Sequence, residues 1–124
     1  MKIIDALNSK EDLIIGSGVS DLKIQEAEES LGLSFSKDYK EYLSVAGLAM
    51  CCGHELTGLG KSERLDVVQV TFQMKSLHKD IPNDWYVIEN ENMDGAAMWQ
   101  DVKGRVYFNT KKEFDCLADY ILDM

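Results

Sequence analysis

Helix-period and strand-period patterns occupy different parts of this 124-residue chain. That segregation predicts an α+β fold, a small antiparallel sheet flanked by N-terminal helices and a C-terminal helix. Apolar residues recur at helical spacing through residues 20–47 and again at the C-terminus. Residues 85–108 instead gather aromatic and β-branched residues around a glycine-containing turn. The length suits one domain over residues 1–124, with a single core. Apolar residues make up 45% and charged residues 28% of the chain, too apolar a balance for a disordered one.

Ile3, Ile4 and Leu7 predict a short opening helix, and Gly16-Ser17-Gly18 breaks the chain after the ambiguous residues 11–15. Ser20 reads as an N-cap with Asp21 in the first turn, and Ile24, Ala27 and Leu31 share a face that Gly32 terminates. Ser36 caps the next helix. Tyr39, Tyr42, Leu43 and Ala46 form its core stripe, and Gly47 stops it. Glu55-Leu56-Thr57 reads as a short strand between glycine turns. Residues 65–77 fit strand alternation or a helical face, and their length favours helix. Pro82 breaks the chain, residues 85–89 read as a strand, and residues 97–108 as a hairpin turning at Val102-Lys103-Gly104. Thr110 and Glu113 match a capping box, which predicts a last helix with Phe114, Leu117, Ala118, Ile121 and Leu122 on its apolar face.

Thirteen Lys and Arg against twenty-two Asp and Glu give a formal charge of −9. Such a surface repels phosphate backbones and anionic lipid, which argues against nucleic-acid and membrane partners. A basic protein is its natural complement; a bare solubility role explains the charge equally well. Met1-Lys2-Ile3-Ile4-Asp5 opens without a long apolar segment, and no apolar run approaches a membrane span. Three cysteines, two of them adjacent, suit a reducing cytoplasm better than a disulfide framework.

Cys51, Cys52 and His54 are the one cluster that suggests metal or thiol chemistry. Adjacent cysteines present two thiolates to one ion poorly, and a free cysteine is commonly a small core hydrophobe. No metal, cofactor or catalytic set is expected. Gly60-Lys61-Ser62 resembles the end of a phosphate-binding loop, but Glu55 stands where that motif needs glycine. Residues 80–101 are more informative. They carry Asp80, Asp84, Glu89, Glu91, Asp94 and Asp101 with Trp85, Tyr86, Met93, Met98 and Trp99, and no Lys or Arg. Aromatic and Met anchors among carboxylates suit an interface with a basic partner. Glu55, Asp84, Trp85, Glu89, Glu91, Asp94, Trp99 and Asp101 are therefore the expected partner-binding residues. The competing reading makes the tryptophans core residues and the acids a wetted face. Strand alternation puts Trp85, Val87 and Glu89 on one side and Tyr86 and Ile88 on the other, so at least one tryptophan is expected inside.

Four stretches carry a family likeness: residues 21–32 with the helix start Asp38-Tyr39-Lys40; Glu55-Leu56-Thr57-Gly58-Leu59-Gly60; residues 65–74 with Ile81-Pro82 and Trp85-Tyr86-Val87-Ile88; and Asp94-Gly95 through the hairpin to the closing helix. In this order and spacing they resemble the SUKH superfamily, which includes bacterial immunity proteins and a yeast cell-wall-synthesis regulator. Ser36 stands where that family often has proline, and Val45-Ala46-Gly47 where it commonly has Asn-Gly-Gly. The resemblance implies a central sheet flanked by helices and tips residues 65–77 towards helix. It also implies binding without catalysis: a cytoplasmic bacterial immunity protein that occludes a basic, nuclease-type polymorphic toxin. The alternatives are a regulatory interaction module without a toxin, and a thiol hydrolase using Cys51 or Cys52 with His54.

Overall fold

A computed structural model describes residues 2–60, 62–91 and 95–124. The elements run α1 (Ile3–Asn8), β1 (Ile14–Ile15), α2 (Asp21–Leu31), α3 (Lys37–Val45), β2 (Ala49–Cys51), β3 (His54–Leu56), α4 (Val67–Leu77), β4 (Tyr86–Asn90), β5 (Ala97–Gln100), β6 (Val106–Phe108), β7 (Lys111–Phe114) and α5 (Leu117–Asp123). The α+β class holds, with helices around two antiparallel sheets ordered β1-β2-β3 and β4-β5-β6-β7. Residues 67–77 are helical, capped by Asp66, whose carboxylate accepts from the N–H groups of Val68 and Gln69. Ser20 and Ser36 cap α2 and α3 as expected, and Gly32 ends α2 in the left-handed conformation.

The four-stranded sheet separates two packed layers. On one side Tyr86, Ile88, Met98 and Val106 meet α1, α2, α3 and α5 in the main core. On the other, Val87, Ala97 and Trp99 meet Val70 and Met74 of α4, with Ile81. The α3 stripe of Tyr39, Tyr42 and Leu43 is wholly buried, each side chain contributing about 1.5–3 kcal/mol of apolar burial. The buried hydroxyls are partnered: Tyr39 Oη lies 2.9 Å from Thr57 Oγ1, and Tyr42 donates to the Thr57 carbonyl at 2.7 Å. Thr57 joins the sheets, its N–H and hydroxyl donating to the carbonyls of Ile88 and Val87. Here the backbones approach closely, and a Cβ on Gly58 would stand 1.9 Å from the Gly47 carbonyl oxygen.

Three expectations change. First, β1 and β2 form where residues 11–15 were ambiguous and residues 48–54 had no strand signal. The β2–β3 turn is Cys52-Gly53, both with positive φ, as a two-residue type I′ hairpin requires. Second, Thr110 and Glu113 cap no helix. Residues 111–114 pair with β6 as β7, and α5 starts only at Leu117. Asp38 of α3 supplies the cap, its Oδ2 accepting from the Leu117 N–H at 2.8 Å. Third, a bulge at Ile88 breaks the alternation of β4. Val87 stands opposite Trp99, but Glu89 stands opposite Met98. Glu89 therefore turns to the main-core side, away from the face of Val87.

Candidate partner-binding surface

The residues expected at an interface divide between the two ends of β4. At its start, Trp85 stacks on Tyr107 of β6 with ring centroids 3.9 Å apart, half-buried at the margin of the α4 layer. Exposed Asp84 precedes it. Below, Trp99 is fully buried, and its indole N–H is the buried side-chain polar group that lacks an acceptor among the described residues. Asp101 is also buried. Its Oδ1 accepts from the N–H groups of Lys103 and Arg105, and its Oδ2 from Arg105 Nε at 2.7 Å and Tyr107 Oη at 2.9 Å. Burial pushes the Asp101 carboxyl up, but the Arg105 guanidinium and the Tyr107 hydroxyl outweigh it and hold the group below its usual range. Asp101 thus closes the β5–β6 hairpin instead of meeting a partner.

At the other end of β4, the bulge delivers Glu89 into a buried polar cluster. Its carboxylate bonds His54 Nδ1 at 3.0 Å and accepts from the Tyr120 hydroxyl of α5. Burial raises the Tyr120 pKa first, and the Glu89 carboxylate raises it further. Glu91 lies beside this cluster, its own pKa raised by burial and then by the Glu89 charge. Glu55 stands next to His54 at the sheet surface, where Arg64 grips it with two bonds of 3.1 and 2.6 Å. These guanidinium bonds lower the Glu55 pKa.

Three of the eight expected contact residues are therefore corrected. Trp99, Glu89 and Asp101 are buried, and the two carboxylates are bonded within the chain, so none offers a surface. Asp94 lies outside the described residues, as does Met93. Glu55, Asp84, Trp85 and Glu91 reach solvent. Sequence reading passed over Tyr107 and Arg105, which complete the Trp85 and Asp101 cluster, and Tyr120. Register places Tyr107 beside Trp99 across β5 and β6, but no local motif marks it.

Cys51 is not set up as a nucleophile. Cys51 is buried, its Sγ 3.6 Å from Met124 Sδ, and burial above all pushes its pKa up to about 11. His54 Nδ1 is engaged by Glu89. Exposed Cys52 is tied to Asp12, which accepts from its N–H at 2.8 Å. No group of three or more metal-ligating side chains forms among the described residues, nor is any helix there long and apolar enough to cross a membrane.

The SUKH_5 family (SMI1-KNR4 cell-wall) matches the chain across residues 1–124. The chain belongs to this SUKH family. No curated protein matches it. Membership supports a role of the immunity-protein or SMI1-KNR4 kind in general. Two family-like segments acquire physical reasons in this SUKH chain. The Asp38-Tyr39 helix start ties three elements together, because Asp38 also accepts from Gln100 Nε2 at 3.0 Å while it caps α5. The Thr57-Gly58 turn takes the Tyr39 and Tyr42 hydroxyls and lets the β3 exit pass against Gly47.

Proposed function

We propose that this single SUKH domain is a cytoplasmic bacterial immunity protein that binds and occludes a basic, nuclease-type toxin domain of a polymorphic toxin system. The observation that carries the reading is the whole-chain family match, and the −9 charge agrees with it. An acidic domain can occupy a cleft built for phosphates, and opposite potentials speed the encounter. Neither a catalytic residue nor a cofactor enters the mechanism. The proposed contacts retain Glu55, Asp84, Trp85 and Glu91. They lie at the two ends of β4, about 17 Å apart at 3.3 Å per residue. A standard interface of about 800 Å² per partner spans that distance.

The family description, SMI1-KNR4 cell-wall, favours a second reading, a regulatory interaction module without a toxin partner. Co-expression separates the two. Cells carrying the toxin gene adjacent to this one should survive only when the domain is present. Death in its presence, or the absence of a neighbouring toxin gene, would favour the regulatory module.

A further inference from the structure

The outer face of the β1-β2-β3 sheet carries a row of side chains that neither hydrophobic core includes. Ile14, Met50 and Glu55 stand in register across the three strands. Their neighbours Ala49 and Leu56 point the other way and are buried in the main core. Ile14 is 63% exposed, and Ile15 beside it is 43% exposed. A shallow groove of about 350 Å³ runs along this face, lined by Asp12, Ile14, Met50, Cys52, His54 and Glu55. The free edge of the other sheet is different. There β7 presents Lys111 and Lys112 to solvent, a common guard against edge pairing. At β1 the exposed side chains are two isoleucines.

Carboxylates surround this apolar row. Asp12 and Glu55 line the groove, and Glu11 adjoins Asp12 in sequence. The nearby cations are committed, Arg64 to Glu55 and Lys10 to the carbonyls of Leu122 and Met124 at 3.2 and 3.0 Å. An apolar centre with an acidic rim is the layout of a docking surface for a partner of the opposite rim charge. A second copy of this chain would bring like charges together.

We infer that the Ile14–Met50 row is the apolar anchor of the partner surface, and that it receives an apolar side chain of the basic toxin domain while Asp12 meets a cation beside it. The inference rests on the immunity reading and locates its interface. Its test uses the full chain against purified basic nuclease toxin domains. Ile14→Arg should weaken capture of the bound toxin at least about 30-fold, and Ile14→Ser about tenfold. Phe72→Arg, on the exposed side of α4, should change it less than about threefold. Both sites are exposed, and unchanged thermal unfolding would confirm that the variants fold. Capture unaffected by both Ile14 variants overturns this anchor while leaving the immunity reading intact. Failure of the unmutated chain to bind any toxin overturns both.

Discussion

Glu89 and Asp101 were read as surface acids, yet each is a buried hub whose loss should be felt in stability before binding. Replacing Glu89 by Ala leaves the Tyr120 hydroxyl and His54 Nδ1 without their acceptor. The expected cost is about 2–4 kcal/mol in urea unfolding, because buried donors lose a charged partner. Asp84→Ala, at an exposed site, should stay within about 0.5 kcal/mol. Glu91 gives a pH signature. Its folded pKa lies above 4.5, so the folded chain holds that proton more tightly than the unfolded one. Stability then falls as pH rises from 4.5 through the folded value. Glu91→Gln removes this penalty. It should raise the unfolding free energy at pH 7, by under about 1 kcal/mol given solvent screening, and the gain should vanish below pH 4.5. A variant less stable than the parent at pH 7 would contradict that account.

Among the elements, the most local signals were the most legible. Ser20, Gly32, Ser36 and the Tyr39-Tyr42-Leu43 stripe each act within one or two turns, and α2 and α3 follow from them. The failures involve partners distant in sequence. The Thr110 and Glu113 pattern satisfied a capping rule, but pairing with β6 took those residues into β7, and the α5 cap came from Asp38, 79 residues away. The bulge at Ile88 had no mark in the sequence, yet it decides that Glu89 faces inward. Alternation alone correctly put a tryptophan inside, and burial shows it is Trp99. The Ile14–Met50 row was illegible because β1 and β2 are too short to show a period. Two substitutions test these assignments. Asp38→Ala should cost about 2–3 kcal/mol, since the Leu117 N–H and one of the two Gln100 Nε2 hydrogens lose their acceptor together, while Glu113→Ala should be close to neutral. Gly58→Ala should destabilise by more than about 3 kcal/mol or prevent folding, because its Cβ meets backbone instead of a movable side chain.

For the whole molecule, the family match supports a role of the immunity-protein or SMI1-KNR4 kind, and the −9 charge agrees with a basic partner. The Cys51 thiol is held protonated at neutral pH, so alkylation there should be slow in the folded chain and fast after unfolding. Rapid alkylation of native Cys51 would restore the case for thiol chemistry. The acidic surface bears on association, because its contribution must fade as salt screens it. The most direct test of the central claim is binding of the purified chain to a panel of basic nuclease toxin domains, at low and high ionic strength. The immunity reading predicts tight capture of one toxin, with an on-rate that falls as the Debye length shrinks from about 10 Å at 0.1 M salt to about 3 Å at 1 M. No capture at either ionic strength would contradict it, and would leave the −9 charge as a means of keeping a regulatory module dissolved.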